Sequence, residues 1–170
     1  MYALHELSQA VRTRRQEIGL SQHRLAQLAG LSRATIVQLE RGTLKDLSFT
    51  RTAAVLDVLG LGLTIGAAHP RLKPRLVEPT PPLELAARTA STSYARRLTA
   101  AKLDAALRTG IVPTGFEPHV HTLLEEAPVS LLAKLVEQLH AEAGGAREEV
   151  WASMRSLARE LQGMRALWLE

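Results

Sequence analysis

Apolar positions recur at helical spacing along most of this chain, and strand-like alternation is confined to one short stretch. Leu4, Leu7, Val11 and Ile18 form one stripe, with Arg12, Arg14 and Arg15 mostly outside it, which predicts a helix over about 4–18. Gly19 follows as a C′ glycine. Ser21 stands as the N-cap of a second helix that runs to Ala29, and Ser32 as the N-cap of a third that ends at Gly42. Between them Gly30 supplies the turn, because glycine takes positive φ without steric cost. A short turn around 44–47 and a helix over about 48–59, carrying Phe49, Ala53, Val55, Leu56 and Leu59, bring the expected number to five. The segment LGLTIG at 61–66 alternates and predicts one short strand. A lone strand leaves its edges unpaired, and a second copy of the chain is its simplest partner.

Five of the eight prolines then fall between residues 70 and 82. Proline removes a backbone donor and disfavours helix in the residue before it, so this stretch predicts a semi-rigid linker. The resulting division is a first helical unit at 1–66, a linker at 67–82 and a second helical unit at 83–170. Helices are expected near 83–91, 99–109, 117–127, 129–143 and 146–168, separated by glycine and proline. Val150, Met154, Leu157, Leu161, Met164 and Trp168 follow heptad spacing. That seam suits either a partner chain or the core of its own domain. Leu131, Leu132, Leu135, Val136 and Leu139 form a similar stripe, and the two helices are expected to pair as a hairpin across Gly144 and Gly145.

Composition narrows the class. Aromatic residues make up 4% of the chain, so the core rests on Leu, Ala, Val and Ile, which favours helices. With no cysteine there is neither a disulfide framework nor a thiolate metal site. No apolar run is long enough to span a membrane and the N-terminus lacks a secretory pattern, so a cytoplasmic protein is expected. Charge is uneven: residues 1–75 carry a net +6 and residues 76–170 a net −2. A basic first half suits a polyanion, or equally a solvated basic surface.

The segment LSQHRLAQLAGLSRATIVQLERG at 20–42 decides between them. A helix that enters the major groove packs one face on its neighbours and presents the other to base edges. Ile36 and Leu39 are the inward residues, against Leu25, Ala26 and Leu28, while Ser32, Arg33, Ala34, Thr35 and Gln38 lie outward. Arginine pairs with guanine, glutamine with adenine, and an alanine or threonine methyl touches a thymine methyl. Gln22 opens the second helix, at a positive helix end suited to phosphate or a base edge.

Over residues 4–60 the sequence resembles the Xre-type family of phage-repressor-like helix-turn-helix regulators. The resemblance is carried by Gly19, Leu20, Ser21, Gln22, Leu25, Ala26, Gly30, Ser32, Thr35, Ile36, Leu39, Glu40 and Gly42, with Leu56, Leu59 and Gly60 in the closing helix. It implies a mainly α fold and DNA contacts from Gln22, Ser32, Arg33, Ala34 and Gln38, with Thr35 meeting the DNA backbone or packing inside. Ala34 stands where some relatives carry an amide. The continuation GLGLTIG is similar to the HipB-like antitoxin branch, in which a short strand pairs two subunits.

Other clusters say less. His119, His121 and His140 lack convergent spacing on a helix, so no metal is expected. Glu125-Glu126 and Glu148-Glu149 suit solvated faces, and no phosphate loop or nucleophile motif occurs. The expectation is a non-enzymatic regulator without a cofactor. It would repress transcription as a homodimer on palindromic double-stranded DNA, with a toxin protein as a further partner if the chain is an antitoxin. The alternative is a protein-binding antitoxin or adaptor whose main role is to neutralise a partner through the C-terminal helices, and an enzyme with an appended helix-turn-helix is the competing reading from a different class.

Overall fold

The computed structural model of the chain describes residues 2–44, 46–63 and 80–169, with side chains from residue 5 onward. The described residues are mainly α. Before the gap in that description lie α1 (Tyr2–Ile18), α2 (Gln22–Leu28), α3 (Arg33–Glu40) and α4 (Phe49–Val58). After it lie α5 (Pro82–Ala90), α6 (Ala100–Thr109), α7 (Glu117–Glu126), α8 (Val129–Ala143) and α9 (Arg147–Glu160). Leu44, Asp46 and Leu47 are not helical, so the short turn expected around 44–47 is not seen there. Of the strand expected at 61–66, only residues 61–63 are described, and they are not in a strand. Residues 64–66, and the linker as far as Pro79, lie outside the described residues.

The expected caps form. Ser21 Oγ accepts from Arg24 N at 3.0 Å and Ser32 Oγ from Thr35 N at 3.1 Å, each satisfying a backbone donor that helix geometry leaves open. Ser48 and Thr99 do the same for α4 and α6. The turn at Gly30 takes φ +65°, as expected. Leu25, Ala26, Ile36 and Leu39 are buried where α2 and α3 cross, and Val11, Ile18, Val55, Leu56 and Leu59 close that core from α1 and α4.

Two of the three arginines placed outward on α1 point elsewhere. Arg12 is exposed, but the Arg14 side chain is 15% exposed and meets Glu17 and Glu137, both at 3.3 Å. Arg15 is turned to Glu40. Positions 11, 14, 15 and 18 share one face of a helix, so both arginines lie along the apolar stripe with their stems packed and their heads paired.

The two halves pack on each other. One hydrophobic cluster runs from Val11 to Trp168, with α1 against α9 and α4 against α8. Polar contacts reinforce it: Arg155 donates to the Ile18 carbonyl at the end of α1, and Arg24 Nη2 donates to the Ala166 carbonyl at 2.8 Å. Gly60 closes α4 at φ +64°, and a Cβ there would lie 2.7 Å from the Val129 backbone, so both its conformation and its neighbour require glycine.

The hairpin of α8 and α9 forms as expected, with the stripe from Leu131 to Leu139 buried. The long helix expected to reach 168 stops at Glu160. Gly163 N donates to Ala158 O at 2.7 Å and Gln162 N to Arg159 O at 3.1 Å, a Schellman closure with Gln162 at φ 58°. The chain then turns back, and Trp168 is buried beside Trp151 with its Nε1 donating to Leu124 O at 3.0 Å. Val150, Met154, Leu157 and Trp168 therefore serve the molecule's own core, while Met164 is 75% exposed.

Candidate nucleic-acid interface

The outer surface of α3 is set by what holds its inner one. Ile36 and Leu39 bury against α2, and Glu40 goes inward with them at 8% exposure. A buried carboxylate needs partners. Arg15 supplies two, with Nε 2.5 Å from Oε1 and Nη2 2.9 Å from Oε2. Gln22 Nε2 donates to Oε2 at 2.9 Å. Burial pushes the Glu40 carboxyl up, but hydrogen bonds from Arg15 and Gln22 and the nearby charges of Arg15 and Arg12 outweigh it and hold the group below the usual carboxylate range. The same Arg15 donates through Nη1 to the Leu20 carbonyl at 2.7 Å, so one guanidinium fixes the entry to α2 and the end of α3 together.

The six residues expected to meet DNA fall into two sets. Arg33, Ala34 and Gln38 are exposed, and no hydrogen bond or ion pair among the described residues engages the side chain of Arg33 or Gln38; the Gln38 carbonyl accepts from Thr43 N at 3.0 Å. Ser32, Thr35 and Gln22 are engaged. Ser32 Oγ caps α3 and lies 2.9 Å from Thr35 Oγ1, and Gln22 is drawn to Glu40. The first set is open to a ligand, and the second shapes the helix ends that present it. Arg15, Ser21, Gln22, His23 and Arg33 line one shallow cavity of about 600 Å³, which brings the start of α2 beside the start of α3. Gln22 and Arg33 thus face a common space although eleven positions separate them.

Two residues belong to this surface that the sequence reading did not single out. Arg41, the C-cap of α3, is exposed and falls on one stripe with Ala34 and Gln38 at i, i+4 and i+7. That spacing was legible beforehand. His23 is exposed in the shared cavity, and only the α2–α3 crossing reveals its place. The outward face thus carries Arg33, Gln38 and Arg41, while the acid of α3 is buried and paired.

The remaining candidates sit elsewhere. His119 is 3% exposed, stacked on Tyr94 at 4.1 Å, with Nε2 2.7 Å from the Arg96 carbonyl. His121 is half-buried, and His140 Nδ1 lies 2.6 Å from the Gly145 carbonyl. Among the described residues, no helix is long and apolar enough to cross a membrane.

Comparison with known proteins bears on the first half of the chain. Residues 11–65 match the family model described as helix-turn-helix. No curated protein and no solved structure matches the chain. The matched span contains α2, the turn at Gly30, α3 and α4, together with all six expected contact residues. Residues 11–65 therefore carry a helix-turn-helix domain, and the chain is a DNA-binding protein of the transcription-regulator class.

Proposed function

We propose that this protein is a transcriptional repressor of the Xre type, acting in the cytoplasm as a homodimer on a palindromic operator, without a cofactor or a catalytic role. The observation that carries the reading is the free outer face of α3. Arg33 and Gln38 have the bidentate chemistry for guanine and adenine, and neither side chain is engaged among the described residues. Two such helices related by two-fold symmetry meet successive major grooves about 34 Å apart.

The homodimer is supported by an apolar patch where α4 meets the residues after it. Phe49 is 68% exposed and Leu63 57%, and both border a cavity of about 130 Å³ with Leu56 and Leu61. Large apolar side chains gathered around a hollow suit a matching surface, and an isologous contact between two copies supplies one. The patch adjoins the 61–66 segment, so pairing of that segment would extend the same interface.

The antitoxin reading, in which the C-terminal helices neutralise a toxin protein, has less support. It rests on the similarity of GLGLTIG to the HipB-like branch, and the seam on α9 that could have met a partner chain is largely spent on the molecule's own core.

Sedimentation of the full chain with and without a bound duplex tests the proposal. Two chains per duplex are expected, and Phe49→Asp is expected to shift the free protein to monomer and weaken DNA binding at least tenfold. One chain per duplex, unchanged by that substitution, would remove the homodimer.

A further inference from the structure

A mainly apolar cavity lies away from the DNA-binding face. It is a cleft of about 640 Å³ between α5 and α8, within the size range of pockets that hold small molecules. Pro82 and Leu85 form one wall, Pro128 and Leu131 the other, and Ser130 and Lys134 stand on the α8 side. Leu85 is 36% exposed, more than an apolar side chain on a packed helix needs to be.

Among the described lining residues the only charge is that of Lys134. Lys134 is exposed, and no ion pair or hydrogen bond among the described residues engages its ammonium group. No acid appears among the described lining residues. The acid one helical turn along, Glu137, is held by Arg14 at 3.3 Å and Arg147 at 2.9 Å. Glu84, beside Leu85, lines a different and more polar cavity with Arg88 and Arg97. Ser130 precedes Lys134 by four positions, so its hydroxyl and the ammonium share one face of α8.

We propose that this cleft binds an amphipathic monocarboxylate, with an unbranched alkyl chain of medium length between the apolar walls and the carboxylate at Lys134 and Ser130. A single compact ammonium suits a monoanion. A phosphate site more often has an arginine fork or several cations, and the described lining residues include neither.

The cleft also touches the reading domain. Val129 and Ser130, at the start of α8, are the backbone against which Gly60 closes α4, so Ser130 belongs both to the ligand wall and to the contact with the helix-turn-helix. A ligand that moves the first turn of α8 displaces the end of α4. This regulatory half rests on the DNA-binding reading, whereas the binding half does not.

Isothermal titration of the full chain with decanoate, decylamine and decanol tests the binding half, below the micellar concentration of each. Decanoate is expected to bind with one site and at least tenfold tighter than decylamine. Lys134→Glu, a surface substitution, is expected to weaken decanoate at least tenfold and reduce its preference over decylamine. Leu85→Glu is expected to weaken all three, with circular dichroism confirming that the helices remain. Equal binding of decanoate and decylamine, indifference to Lys134→Glu, or no decanoate binding because the chain or a second copy fills the cleft would each overturn the site. Operator affinity measured with and without saturating decanoate tests the coupling, and a change of threefold or more is expected. Tight decanoate binding with unchanged operator affinity would overturn the regulatory half alone. A protein that binds decanoate but no DNA would instead refute the function proposed above.

Discussion

Glu40 can be buried beneath the DNA-binding face because Arg15 meets both of its oxygens and Gln22 adds a third donor. Removing one member of such a pair leaves the other desolvated, so Glu40→Gln is expected to cost about 2 kcal/mol. Denaturant titration at neutral pH measures it. The pair also sets a pH dependence. Burial raises the carboxyl's pKa, but the partners more than offset that, so it lies lower in the folded state than in the unfolded chain. A depressed carboxylate contributes stability at pH values above its unfolded pKa, and that contribution is lost as pH falls through the folded one. Stability should therefore drop in acid below the ordinary carboxylate range, with a shallower drop in Glu40→Gln. Equal slopes for the two proteins would mean that Glu40 is not the group responsible. The sequence marked Glu40 as a family match but gave no sign of this role, because its partner Arg15 lies twenty-five positions earlier. Arg14 and Arg15 were misplaced although their spacing put them on the face of Val11 and Ile18, and only the distant partner of Arg14, Glu137, lay beyond any local pattern. Periodicity reports which face a residue occupies and is silent on which distant charge it meets.

At the level of elements, local chemistry was the reliable guide. Ser21, Gly30 and Ser32 marked the two central helices because caps and turns depend on residues within four positions. The end of α9 was missed because heptad spacing continues through Leu161, Met164 and Trp168 although the helix does not. Burying Trp168 against Trp151 and bonding its indole to Leu124 requires the chain to turn back, and Gly163, sitting inside the supposed helix, was the available signal. The turn places Gln162 at φ 58°, a conformation that glycine adopts at less cost. Gln162→Gly is accordingly expected to stabilise the protein by about 0.5 kcal/mol in thermal unfolding, and a loss of stability would show that the glutamine side chain contributes more than its backbone costs. Gly60 is the opposite case. It pairs positive φ with the Val129 backbone 2.7 Å from where a Cβ would sit, so Gly60→Ala is expected to destabilise by about 2 kcal/mol or to part α4 from α8. Hydrogen exchange at Val129 and Ser130 would detect the parting. Unchanged stability with unchanged protection there would contradict the contact.

At the scale of the whole molecule, the sequence suggested a reading unit and an interaction unit joined by a linker, and the described residues pack the two together. Arg155 on the Ile18 carbonyl, Arg24 on the Ala166 carbonyl and Glu137 on Arg14 join positions more than a hundred residues apart, which no local pattern can predict. The C-terminal helices therefore support the helix-turn-helix directly, and their apolar seam faces inward. The account nevertheless depends on α3 reading DNA through Arg33 and Gln38. The most direct test is selection of bound fragments from a random duplex pool by the full chain and by the double variant Arg33→Ala/Gln38→Ala. Both substitutions are at exposed positions and leave the core intact. The wild-type protein is expected to enrich an inverted repeat with half-sites about one helical turn apart, and the variant to lose that enrichment, each side chain contributing about 1–3 kcal/mol. Enrichment of the same sequence, to the same degree, by both proteins would contradict the account.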